Sequence, residues 1–252
     1  MIKMTKITVL KSRKKHWAVA INNASNKVQL LDLLINGPIP PLFQRLRGLQ
    51  GALFSKLELV RFIDEEERHG GKTITKDTAQ SLKSMSSGEQ KKALLKYILV
   101  STPDFIVLDN PFDNLDVESQ AQLVKSLKTI SEHTHLVQIV SRKKDLLSFI
   151  THFVSLDQET LKTYESLSEL DDFFSTQINP DFQENIPKAL HPTPFDNKVL
   201  IDLKNISVSY DGKPILKNIN WEILPGSFWQ LVGKNGSGKT TLLSMITGEN
   251  SK

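Results

Sequence analysis

Cysteine is absent from the chain. Without a thiol, disulfides and thiol chemistry are both excluded, and the absence fits a reducing compartment. Long hydrophobic runs are missing too. No stretch approaches the roughly 18 apolar residues that a membrane-spanning helix needs. The start, MIKMTKITVLKSRKKHW, has neither the long apolar core nor the cleavage site of a secretory signal. An excess of one charge is also lacking: 32 basic residues face 28 acidic ones, for a net +4. The basic residues are dispersed except in KSRKKH (11–16), which is expected to be a solvated strand end, and no nucleic-acid partner is expected. The six histidines form no ligand-spaced group, and His133 and His135 are expected on a solvated loop. What is left is an ordinary globular composition, 39% hydrophobic and 24% charged, on 252 residues. That length suits one large domain or two small ones.

Against that plain background one stretch stands out: GKNGSGKT, residues 233–240. The apolar FWQLV (228–232) before it reads as a buried strand. After it, Leu242, Leu243 and Ile246 recur at helical spacing and Gly248 follows as a stop. A glycine-rich loop between strand and helix is the setting of a phosphate-binding P-loop. Gly233, Gly236 and Gly238 let the backbone curl so that successive N–H groups face one anion. The helix N-terminus adds partial positive charge. Lys239 is placed to reach β- and γ-phosphates, and the Thr240 hydroxyl to ligate Mg²⁺.

The same unit occurs twice. HWAVAINNASNKVQLLDLLING (16–37) lies over FWQLVGKNGSGKTTLLSMITGE (228–249) at an offset of 212 residues, with six identities in 22 positions. Trp17, Asn23, Ser25, Lys27, Leu30 and Leu31 match Trp229, Asn235, Ser237, Lys239, Leu242 and Leu243. The chain thus reads as one cassette over 1–170, a linker over 171–198, and the beginning of a second, truncated cassette over 199–252. The linker is read from a polar stretch, 175–197, carrying Pro180, Pro187, Pro192 and Pro194. In the first cassette, 77–101 turns helical after Gly88, 104–111 is a strand, 117–130 an amphipathic helix and 135–142 a strand. Such alternation means an α/β fold with a mostly parallel, helix-covered sheet. In the second, 199–226 alternates around the turns DGKP and LPG as antiparallel strands would.

Residues 85–92, MSSGEQKK, resemble the signature motif of ABC-type ATPases. Met85, Ser86, Ser87, Gly88 and Glu89 take its five positions and Gln90 follows. On its own, Ser86 before Glu89 also fits a helix capping box. Asp109, closing FIVLD, looks like the end of a Walker B strand; NLD (114–116), ending in Asp116, looks like the D-loop. Tyr210 sits where the family places an aromatic residue against adenine. A closer resemblance is to soluble tandem-cassette ATPases of the ModF and photorepair-protein type, found near molybdate transporters. The resemblance implies a P-loop NTPase fold and ATP with Mg²⁺. It also implies a sandwich of two cassettes, in cis or as a homodimer. Each ATP lies between the P-loop of one cassette, here Gly233, Lys234, Asn235, Gly236, Ser237, Gly238, Lys239, Thr240 and Thr241, and the signature of the other.

The first cassette departs from the pattern. Its P-loop reads INNASNKV (21–28), with Ile21, Ala24 and Asn26 at the glycine positions and Val28 at the threonine. Asn23 and Lys27 survive. Asn110 follows Asp109 where the family has a catalytic glutamate, and Asn cannot take a proton from water. Arg142 falls at the switch histidine. One degenerate and one competent composite site are therefore expected, with hydrolysis completed only in a longer chain. Location is expected in the cytoplasm or at the inner face of its membrane. Two alternatives stand beside this: the nucleotide-binding subunit of a membrane transporter, and a non-transport module switched by ATP. For the first, the charged, amphipathic FSKLELVRFIDEEER (54–68) is the candidate partner surface, although no clear glutamine loop is visible. Without the rest of a sheet, 199–252 is expected to leave Trp229, Leu242, Leu243 and Ile246 partly exposed.

Overall fold

The computed structural model describes residues 14–76, 80–175, 198–210 and 212–249. Two compact units divide the chain between Ile178 and Asn179, apart from Leu115–Glu118, which fall with the second. The expected linker lies mostly in 176–197, outside the described residues. The expected boundary at 170 falls inside a helix, Leu167–Ser175.

The first unit is built on a six-stranded sheet. Its strands are β1 (His16–Ile21), β2 (Gly51–Phe54), β3 (Phe105–Asp109), β4 (His135–Val140), β5 (His152–Asp157) and β6 (Thr160–Tyr164), in the order β2-β3-β4-β1-β5-β6. All neighbours are parallel except β5 and β6. Strands covered on both faces need no alternation, and β1 is buried at all six positions. The helices are α1 (Lys27–Ile35), α2 (Lys56–His69), α3 (Ser87–Val100), α4 (Val117–Ser131) and α5 (Leu167–Ser175). α2 shows why a charged sequence still folds as a helix. Ser55 caps it by accepting from the Glu58 N–H, Gly70 ends it at φ +66°, and Leu59 and Phe62 form the buried stripe. One core joins Trp17, Val19, Leu30, Leu34, Phe43, Phe105, Val107, Val137 and Val154.

At the amino ends of the strands three histidines gather. β1 pairs with β4 and β5, so His16, His135 and His152 meet around Trp17, whose ring lies 5.9 Å from His135 and 5.5 Å from His152. This corrects two expectations. His16 is buried rather than a solvated strand end, and His135 opens β4 rather than lying on a loop. Among the described residues no group of three His, Asp or Glu is arranged to hold a metal. Burial, helped by the charges of His135 and His152, draws His16 down to about 4, and its Nδ1 has no hydrogen-bond partner among the described residues. The other two are lowered as well, again by burial first. The folded state thus resists a proton that the unfolded chain accepts near 6.5. Stability is accordingly complete above pH 6.5 and falls as pH drops toward 4. Melting temperatures between pH 7.5 and 4.5 check this, and His16→Phe is expected to flatten the profile.

The second unit has two antiparallel strands, β7 (Ile201–Tyr210) and β8 (Lys213–Ile223), and one helix, α6 (Lys239–Ile246). The antiparallel reading of 199–226 holds, with Gly212 and Gly226 both at φ +75°. The strand expected over 228–232 does not form. Phe228 is 102% exposed, Trp229 59% and Val232 76%. The reason lies in its counterpart. β1 has β4 and β5 to receive its hydrogen bonds, whereas the described residues of this unit offer 228–232 no parallel neighbour, and a lone strand in water gains nothing. Leu243 is exposed and Leu242 is buried. Trp229 meets Trp221 edge to face at 5.4 Å, and its Nε1 donates to Ser227 Oγ (3.1 Å).

Candidate nucleotide site

The duplicated loops start their helices at the same aligned residue. α1 begins at Lys27 and α6 at Lys239, and the aligned Leu30 and Leu242 are both buried. Between strand and helix, though, the backbones part. Gly238 caps α6 at φ +86° and Gly236 lies at φ +77°, both in the left-handed region open to glycine. Asn26, aligned with Gly238, caps α1 at φ −78°.

That difference decides where the N–H groups go. In the first loop the Asn22 N–H donates to Ser25 Oγ (2.8 Å), Ala24 to Asn22 Oδ1 (2.9 Å), and Asn26 to the Gln158 carbonyl (2.7 Å). The Lys27 N–H donates to the Ser25 carbonyl (2.9 Å) and that of Gln29 to Asn26 Oδ1 (3.2 Å). Donors that would cradle an anion are satisfied inside the protein. The Lys27 ammonium bridges both oxygens of Asp109 at 3.0 Å. Lys27 and these amide donors are thus engaged within the first unit.

The second loop keeps its glycines and is built differently. Gly233 leaves room for Ser237, whose Oγ would lie 2.8 Å from an added Cβ, and Gly238 packs under Leu216. Lys239 Nζ donates to the carbonyls of Gly233 (2.7 Å) and Lys234 (2.6 Å), so it already lies across the curl of the loop. Thr240 follows on the exposed side of α6's first turn. Lys234, Asn235 and Thr241 flank the same loop, and Tyr210 closes β7 half-exposed.

The residues expected to form the signature sit at the start of α3, in the first unit. The helix begins at Ser87 rather than after Gly88, and the capping box is complete. The Ser86 N–H donates to Glu89 Oε2 (2.8 Å) and Ser86 Oγ accepts from the Glu89 N–H (3.4 Å). Hydrogen bonds from Ser86 hold the Glu89 carboxyl below its usual range. Gly88 has a packing reason: a Cβ there would meet Ser119 Oγ at 2.7 Å. Gln90 Nε2 donates to the Leu82 carbonyl (2.9 Å).

Asp109 ends β3, and Asn110 beyond it takes φ +41°. The Asn110 side chain accepts from the Ser141 N–H (3.3 Å) while its own N–H donates to the Ile139 carbonyl (3.0 Å), so it ties β3 to β4. Arg142 reaches Asp113 (2.8 Å) and Asp145 (2.6 Å), not the Lys27 loop. Asp116 directly precedes α4. One group had no signal in the sequence. Lys91, 8% exposed on α3, donates to the carbonyls of Pro111 (2.6 Å) and Asp113 (2.7 Å). Burial draws it down to about 8 against the opposing charges of Asp113 and Asp109.

Residues 216–252 match the family model described as ABC transporter. ABC transporter ATP-binding protein ModF of Escherichia coli (strain K12) is 36% identical over 189 residues, covering 70% of this chain and 38% of its own length. An uncharacterized ABC transporter ATP-binding protein of Schizosaccharomyces pombe is 32% identical over 179 residues, covering 68% and 35%. The chain thus spans little more than a third of these relatives. Among solved structures, one chain from the complex of archaeal ribosomal stalk protein aP1 and ribosome recycling factor aABCE1 aligns with a TM-score of 0.57. At 14% identity, over 94% of this chain and 56% of that one, this is likeness of fold alone. The glycine loop, the parallel sheet with its antiparallel companion and these relatives agree: the chain belongs to the ATP-binding cassette (ABC) family of ATPases.

Proposed function

We propose that the chain binds the triphosphate of ATP at Gly233–Thr241. In the complete protein, hydrolysis then occurs at a composite site closed by the Ser86–Gln90 turn of an opposing cassette. The observation that carries this reading is the left-handed pair Gly236 and Gly238 at the N-terminus of α6. Left-handed glycines allow a loop to present its amides to a single anion, and the helix end adds partial positive charge. Lys239 is to leave the Gly233 and Lys234 carbonyls for the β- and γ-phosphates. Thr240 is to hold Mg²⁺, which neutralises phosphate charge when bound. Tyr210 is to stack on adenine.

The site based on Lys27 and Asp109 is proposed to be degenerate. Its donors are internally bonded, its lysine is ion-paired, and Asn110 offers no base. The work driven by ATP is proposed to be that of a transport-linked cassette protein handling molybdate or another oxyanion, in line with the resemblance to ModF. No described helix is long and apolar enough to cross a membrane.

Lys239→Ala tests the assignment. Each lost charge-assisted hydrogen bond is worth about 1.5–3 kcal/mol, so ATP affinity is expected to fall roughly ten- to hundredfold. Titration with a fluorescent ATP analogue measures it, and unchanged affinity refutes the site. Lys27→Ala in the same assay is expected to change nothing.

A further inference from the structure

Asparagine followed by glycine occurs twice in the chain, at Asn36–Gly37 and at Asn235–Gly236. The pairing matters because the main-chain nitrogen of the following residue can attack the asparagine side-chain amide. Glycine, with no Cβ, leaves that nitrogen the least obstructed approach. The attack needs a main-chain N–H that is not held elsewhere, and room for the side chain to fold back onto it.

The two pairs differ in both respects. At the end of α1 the Gly37 N–H donates to the Asp32 carbonyl (3.0 Å), as does that of Asn36 (2.8 Å). The Asn36 side-chain amide donates to Asp32 Oδ1 (3.0 Å). Gly37 is also crowded, since a Cβ there would stand 3.1 Å from the main chain of Leu33. In the glycine loop, Asn235 and Gly236 are both exposed. The turn closes around them, from the Ser237 N–H to the Lys234 carbonyl (3.2 Å). The Gly236 N–H makes no hydrogen bond among the described residues. Gly236 lies at φ +77°, and a Cβ on it would meet nothing within 4 Å.

We propose that Asn235–Gly236 is a site of spontaneous deamidation that takes the glycine loop out of use, and that bound nucleotide protects it. The Gly236 nitrogen attacks Asn235 Cγ. The N–Cγ bond forms and the Cγ–Nδ2 bond breaks. The main-chain proton passes through solvent to the leaving nitrogen, and ammonia departs from a succinimide ring. Water then opens the ring. Opening at Cγ leaves aspartate; opening at the main-chain carbonyl leaves isoaspartate, in which the chain runs through Cβ and Cγ. Both products place a carboxylate in the loop, where it repels a phosphate. Isoaspartate also lengthens the main chain by one atom inside the turn that Ser237 closes on Lys234. The chemistry at Asn235 stands on the loop alone. The protection rests on the reading that Gly233–Thr241 holds a triphosphate, since a phosphate oxygen that takes the Gly236 N–H removes the nucleophile.

The full chain is aged at mildly alkaline pH, with and without Mg²⁺ and ATP at a concentration that saturates only the wild type. Peptide mass spectrometry then reads the change from amide to acid at each asparagine. Acid is expected to form several times faster at 235 than at 36. ATP is expected to slow it several-fold at 235 in the wild type and to leave it unslowed in Lys239→Ala. Asn235→Gln, whose longer side chain disfavours ring closure, is expected to form no acid there. In the aged wild type, the fraction that binds a fluorescent ATP analogue is expected to fall in step with isoaspartate at 235. Acid at 36 that keeps pace with 235 overturns the proposal, as does its absence at 235. Equal slowing by ATP in Lys239→Ala overturns it too, and so does an unslowed rate in wild type that titration shows to be nucleotide-bound. If titration shows no nucleotide bound, the reading of the loop has failed instead, and the contrast between 235 and 36 still decides the chemistry.

Discussion

Gly238→Val is expected to abolish ATP binding by the second unit, with a larger loss than removing the lysine beside it. The residue lies at φ +86°, where an L-residue is strained by about 1–2 kcal/mol and a β-branched one is an outlier. Its new Cβ would stand 2.6 Å from the Leu216 side chain and 3.0 Å from that of Ile215. Overpacking of this kind costs about 1–3 kcal/mol. The combined penalty, roughly 2–5 kcal/mol, corresponds to a loss of about thirtyfold to several thousandfold in affinity. Either the loop keeps its curl and pushes β8 aside, or it relaxes toward the φ −78° seen at Asn26 and turns its amides away. ATP titration measures the loss, and affinity within threefold of wild type would show that the curl is not what holds the phosphates. The reciprocal change, Asn26→Gly, is expected to gain no ATP binding, because Lys27 stays on Asp109 and the Asn22 and Ala24 amides stay bonded.

Phe105→Ala is expected to cost the first unit about 3–5 kcal/mol, a large part of the 5–15 kcal/mol that holds an ordinary domain together. The ring is buried in the main core, and β2 runs beside it so closely that a Cβ on Gly51 would sit 2.2 Å from it. Removing the ring leaves a cavity between β2 and β3 that backbone hydrogen bonds keep from collapsing. Urea unfolding followed by Trp17 fluorescence measures the drop in midpoint. A loss below 1 kcal/mol would mean that the sheet edge is looser than its packing implies. Gly51→Ala approaches the same contact from the other side and is expected to destabilise by about 1–3 kcal/mol through overpacking.

Local patterns were the legible part of this chain. The runs WAVAI, FIVLD and HLVQIV carry their own burial, and their alternation with helices announced a parallel sheet. The duplication aligned Lys27 with Lys239, and in the structure α1 and α6 begin at those two residues. Less visible was anything that depends on register. His16, His135 and His152 are far apart in sequence and meet because β1 lies between β4 and β5. Lys91 reads as one more charge on an amphipathic helix until the 111–113 turn closes over it. FWQLV failed for a related reason: apolar content marks a strand, but only a neighbour makes one, and no periodicity reveals whether the neighbour is at hand.

The first loop also bears on how such a chain can change. Its amide bonds and its lysine–aspartate pair tie it to itself, to Gln158 and to Asp109. Replacing Asn26 by glycine alone would remove the acceptor of the Gln29 N–H while the remaining bonds still hold the loop. Giving this loop the glycine pattern of the second would take changes at Ile21, Ala24 and Asn26 together.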